Sequence, residues 1–168
     1  MRLNITIKGV EGVQKRLDQI KQRSTDWTQA APSLHAYLIR RMDRNFQTEG
    51  RSEGITWPKY GAEPKYRAFK RAMVGHLDVL RWEKGGKYER LYPSLTNQQH
   101  ADHVWSQEGR TTMKYGTTVP YAGSIEQDHQ GPFGEISPAR EWSHIGRTTT
   151  DGVVEIVRRW ILLGKVER

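Results

Sequence analysis

The chain has 168 residues with 27 Lys and Arg against 19 Asp and Glu, a formal net charge of +8. Its length fits one domain, and the absence of Cys excludes disulfides, thiolate zinc sites and cysteine nucleophiles. Only 35% of residues are apolar, but six Trp, seven Tyr and three Phe supply large buried areas, a balance that suits a subunit completed by its neighbours.

Leu3, Ile5 and Ile7 alternate with polar residues, which predicts a half-buried strand ended by Gly9. Val10, Val13, Leu17 and Ile20 then predict an amphipathic helix through about Lys21. No apolar run at the N-terminus is long enough for a signal peptide, and none elsewhere reaches the ~18–20 residues of a membrane span. The expectation is a soluble protein made in a cytoplasm.

Trp27, Ala31, Leu34, Leu38 and Met42 predict a second, longer helix to about Phe46. Asp26 is its candidate cap, and Pro32 is tolerated only in the first turn. Arg40, Arg41 and Arg44 would cluster on the opposite side, toward water or a partner. The run Gln47–Pro58 is turn-like, with Glu-Gly at 49–50 and again at 53–54. Tyr66, Phe69, Met73 and Leu77 return to helical spacing among Lys65, Arg67, Lys70 and Arg71. Beyond them Gly85, Gly86 and Pro93 predict an extended loop over 81–103. Residues 47–60 and 81–103 are therefore the expected arms.

Val104-Trp105 and Thr112–Tyr115 flank a turn at Gln107–Arg110, which predicts a hairpin. Near the C-terminus Val153, Ile156, Val157, Trp160 and Ile161 mark a helix face ending near Leu163, with Thr149, Thr150 and Asp151 as candidate caps. The sum is one α+β domain over 1–168: a small antiparallel sheet against a long helix, a closing C-terminal helix and long loops.

Catalytic constellations are hard to assemble. His100 and His103, with Asp102 between them, offer two metal ligands without a third or fourth. Asp128-His129 has no serine in a nucleophile elbow. Glu49, Glu53 and Glu63 share no helical face, and Lys84-Gly85-Gly86-Lys87 lacks the frame of a phosphate-binding loop. The expectation is no enzyme, no cofactor and no metal. Basic residues among Trp57, Tyr60, Tyr66, Phe69, Trp82 and Tyr88 suit phosphate contact with stacking, although aromatics at helical spacing more often mark a core.

Tyr115-Gly116-Thr117, Val119-Pro120-Tyr121-Ala122, Glu126 and Gly131 resemble a pattern in the virion-morphogenesis proteins of tailed bacteriophages, also called tail-completion or neck proteins. Ile136-Ser137-Pro138-Ala139-Arg140-Glu141-Trp142 resembles that family's second motif. Trp57-Pro58-Lys59-Tyr60 before a Lys-rich helix is also similar. Many relatives carry a compact Leu-x-x-Thr-Gly-x-Leu-x-x-Ser; here Leu80, Gly85, Gly86, Leu91 and Ser94 stand at stretched spacing, with Trp82 and Tyr88 inserted.

The resemblance implies a ring, a hexamer, at the head–tail junction. Its partners would be copies of itself, the head–tail connector or adaptor, and the tail terminator or tube, with genome DNA in the lumen and no membrane. On that reading Trp57, Tyr60, Trp82, Tyr88, Tyr121, Glu126, Arg140 and Trp142 form subunit or partner seams. Arg140 could bind Glu126 bidentately. Arg40, Arg41, Arg44, Lys84 and Lys87 would face DNA. The alternatives are a stand-alone phage DNA-binding protein, a tail terminator and, third, a small hydrolase.

Overall fold

A computed structural model describes residues 10–57, 91–120, 122–125, 129–130, 136–137 and 142–166, without the side chains of 124–125, 129–130 and 136–137. The expected strand over 3–7 and the helix around 66–77 lie outside these residues. The described chain is mixed helix and antiparallel strand, an α+β arrangement with a closing C-terminal helix.

Helix α1, Val10–Thr25, runs one turn beyond the expected end. The hydroxyl of Ser24 donates to Lys21 O (2.7 Å) and that of Thr25 to Gln22 O (3.0 Å), occupying carbonyls that a helix terminus leaves without partners. The connection at 26–30 is a tight turn: Thr28 N donates to Asp26 Oδ1 (2.9 Å) and Ala31 N to Trp27 O (3.0 Å). Asp26 thus holds this turn instead of capping the next helix, because the chain between them has its own bonds to close. Trp27 likewise sits before that helix, not within it.

Helix α2, Ala31–Gln47, tolerates Pro32 in its first turn and buries Ala31, Leu34, His35, Asn45 and Phe46. The chain after it, as far as Trp57, does not form an arm. Gly50 has φ +86°, and Trp57 N donates back to Glu49 O (2.9 Å). A Cβ at Gly50 would meet both Ile55 and Trp57 at 2.9 Å, so only glycine lets the loop close. A 3-10 turn at Arg51–Glu53 completes it and lays Trp57 into the core at 2% exposure.

The second expected arm is also corrected in its described part. Residues Leu91–Thr96 form helix α3, which buries Leu91, Ser94 and Leu95. Pro93 lies in its first turn, where a missing N–H costs nothing. Strand β1, His103–Gln107, pairs antiparallel with β2, Met113–Thr117, in the register His103↔Thr117 to Gln107↔Met113. Glu108 N donates to Thr112 O (3.0 Å) and closes the hairpin.

A short helix α4, Ala122–Ile125, follows, then a second ribbon of β3, His129–Gln130, with β4, Ile136–Ser137. Helix α5, Arg147–Leu163, closes the chain and ends on Gly164 at φ +65°. Its N-cap is Gly146. Thr149 and Thr150 lie inside its first turn and are not the caps expected from sequence.

The apolar centre is Phe46, Trp57, Leu91, Leu95, Val119, Ala122 and Trp142, with Met42, Ile55, Tyr92 and Tyr115 around it. Phe46 meets Trp57 edge-on at 5.2 Å and Tyr92 at 5.4 Å between ring centroids. Each such aromatic burial stabilises by about 2–3 kcal/mol.

Candidate functional site

The two motifs of the resemblance meet at one place. The Trp142 indole N–H donates to Ala122 O (2.9 Å), and Asn45 Nδ2 on α2 donates to Trp142 O (3.4 Å). Ala122 N donates to Val119 O (3.1 Å), and Val119 N to Thr117 Oγ1 (3.1 Å), tying this clasp to the end of β2. The strand ends at Thr117, and Pro120 lies beyond it, where its missing donor breaks no ladder. The segment between Ala122 and Trp142 is therefore a loop closed at its base, and it carries the ribbon β3–β4.

Trp142 and Trp57 were expected at a subunit seam; both are instead buried in the core of the chain itself. Each brings a large apolar ring to a cluster fed by separate chain segments, and that burial outweighs exposure at an edge. Tyr60, Trp82, Tyr88, Tyr121, Glu126, Arg140, Lys84 and Lys87 lie outside the described residues.

The basic face of α2 divides. Arg40 and Arg44 are exposed, but Arg41 turns inward. Arg41 Nη2 pairs with Glu53 Oε1 and donates to Ser52 O (3.2 Å), while its Nε donates to Thr149 Oγ1 (2.9 Å). The Thr149 hydroxyl donates to Glu53 Oε1 (2.7 Å), and Gly146 N donates to Glu53 Oε2 (3.0 Å). Glu53, with a side chain only 3% exposed, thereby joins α2, the 3-10 turn and the start of α5. Arg41 is removed from any DNA-facing set because its guanidinium is spent on this buried carboxylate.

Glycine is required at 146 for a steric reason. A Cβ there would collide with the backbone carbonyl of Glu53. The repeated Glu-Gly of the 48–54 run is the only sequence hint of this knot, and periodicity carries no signal for a buried carboxylate.

A second buried polar group centres on histidine. His35 on α2 stacks on Trp105 with ring centroids 4.4 Å apart and planes 7° from parallel. Its Nε2 lies 2.8 Å from His103 Nε2, and His103 Nδ1 lies 2.7 Å from Ser94 O. A carbonyl only accepts, so His103 donates from Nδ1. When neutral it offers the Nε2 lone pair to the Nε2–H of His35. Burial, then the neighbouring His103, lowers the pKa of His35 below 6.5. Burial also pushes the Tyr115 phenol up, and that hydroxyl donates to Leu95 O.

Both ring nitrogens of His103 are thus engaged within the fold, which leaves it no free lone pair for the metal site considered with His100. Among the described residues no group of three or more His, Asp or Glu side chains is arranged to hold a metal, and no helix is long and apolar enough to cross a membrane. The knot and the histidine pair each bond separate elements together.

No family model, curated protein or solved structure matches the chain.

Proposed function

We propose that this protein is a structural neck subunit of a tailed phage, forming an oligomeric ring that joins or completes the tail at the head–tail interface. The observation that carries the reading is the bond from Trp142 to Ala122 O. It ties the end of the Pro-Tyr-Ala motif to the Trp that follows Pro-Ala-Arg, twenty residues on, and closes the loop between them at its base. A base fixed in the core lets such a loop reach a neighbouring copy without loosening the protomer. Closed symmetry then makes an interface that no monomer has. Glu126 and Arg140 belong to this loop by sequence, Tyr121 immediately precedes it, and the three are the proposed seam residues.

Arg40 and Arg44 are the exposed cations of α2 and are proposed to face the duplex in the lumen. They would attract phosphate without reading sequence, so duplex binding should weaken steeply with salt. The function is geometric and requires no catalytic step.

Native mass spectrometry of the full chain, alone and with a purified head–tail connector, tests the proposal. A ring, free or seated on the connector, is the expected result. A chain that stays monomeric in both samples contradicts it, and a monomer that binds duplex DNA tightly at low salt would favour a stand-alone DNA-binding protein.

A further inference from the structure

Val10, Val13, Leu17 and Ile20 follow one another at three, four and three residues, the repeat that sets side chains in a single narrow line along a helix. In α1 the first three members of this line are uncovered, Val10 at 53% exposure, Val13 at 61% and Leu17 at 54%, and Ile20 is half-buried. Every residue from Val10 to Gln19 is exposed, so none of them belongs to the core that the described residues form. The helix meets the rest of the fold at its other end, where Arg23 lies 5.8 Å from the Trp160 ring centroid of α5. An isolated helix of this length is marginal in water, and a line of this kind is stable when a second helix covers it.

The charges beside the line identify its occupant. Arg16 flanks it on one side and Lys21 on the other, and neither has an ion-pair partner among the described residues. Glu11 and Asp18 lie one step farther from the seam, and Asp18 Oδ1 accepts from Gln14 Nε2 (3.2 Å). A second copy in parallel would set Arg16 against Lys21, and an antiparallel copy would set Arg16 beside its own equivalent; both orientations place like charges at the seam. A bilayer surface takes a wide apolar face anchored by aromatics, whereas this line is narrow and α1 has no aromatic residue. Nucleic acid offers nothing to an aliphatic line.

We infer that α1 docks an amphipathic helix of a different protein, one whose own apolar line is flanked by Asp or Glu. The net charge of +8 on the whole chain would steer such a partner inward. This docking face is separate from the proposed ring seam, and either can fail without the other.

The test uses the full chain and two labelled helical peptides of three heptads, identical in their Leu seam, one flanked by Glu and the other by Lys. Fluorescence anisotropy should show the Glu-flanked peptide binding at least about tenfold more tightly, with the gap narrowing as salt rises. The double variant Arg16→Glu, Lys21→Glu should reverse the preference, and Val13→Asp should abolish binding of both peptides while leaving the melting curve in place. Equal binding of the two peptides, or no binding of either, overturns the inference. So does a preference that survives the charge reversal. Sedimentation showing a dimer that Leu17→Asp dissociates would assign the face to a second copy, and uptake by phosphatidylserine vesicles without peptide preference would assign it to a membrane; each result also overturns it.

Discussion

Helices α1 and α2 have 16 and 17 residues, and both carry apolar side chains at helical spacing, yet α2 buries five residues and α1 none. The difference lies in how much chain returns to each. At the C-terminal end of α2, Phe46 joins a cluster with Trp57 from the following loop, Leu91 and Leu95 from α3, Val119 and Ala122 beyond the hairpin, and Trp142 before α5. Among the described elements α5 is the one that packs substantially on α1, and Arg23 near the last turn of α1 lies against its Trp160. An apolar stripe makes a helix amphipathic; segments distant in sequence must close over it before it contributes to a core.

That contrast can be broken at its strongest point first. Trp57→Ala should lower unfolding free energy by about 3–5 kcal/mol, read from urea denaturation, because it empties the centre of the cluster. Glu53→Ala should cost a comparable ~3–5 kcal/mol by leaving the Arg41 charge buried without its carboxylate. Replacing both partners together, Arg41→Met with Glu53→Leu, should recover part of that loss, since no charge then remains buried. If the single and double variants are equally unstable, the ion pair is not what α2 and α5 depend on.

Gly146→Ala comes next, at about 1–3 kcal/mol, because the new methyl meets a backbone carbonyl that cannot step aside. A smaller effect should depend on pH. His35 has a lower pKa folded than its ordinary 6.5, so the unfolded chain binds more protons in that window. The stability it contributes is complete above 6.5 and is lost as the pH falls through the lowered folded value. Paired denaturation curves on either side of that window should show a drop for the native chain and a smaller one for His35→Gln. Smallest of all, Leu17→Asp on exposed α1 should shift stability by no more than about 0.5 kcal/mol in thermal melts. A loss as large as that of Trp57→Ala would erase the distinction between the two helices.

Legibility in the sequence follows the same division. The hairpin at 103–117 and helix α5 were readable because alternation and a helical stripe are local signals. Helix α3 was not, since Pro93 in six residues looks like a break until tertiary packing covers Leu91 and Leu95. The ribbon β3–β4 is two residues per strand, too short for any periodic pattern. Arg41 was grouped with Arg40 and Arg44 by spacing alone, and only the fold sets Glu53 and Thr149 against it. Trp57 and Trp142 were placed at a seam on the resemblance; the described chain carries both into the core. The clasp between the two motifs is a contact over twenty residues that neither motif specifies by itself.

The most direct measurement is a density map of the intact virion at the junction of capsid and tail. The account expects a closed ring of this chain around the DNA, with the loop between Ala122 and Trp142 of each copy lying against the next. A capsid and tail joined without this chain, or copies whose loops face solvent instead of a neighbour, would contradict it.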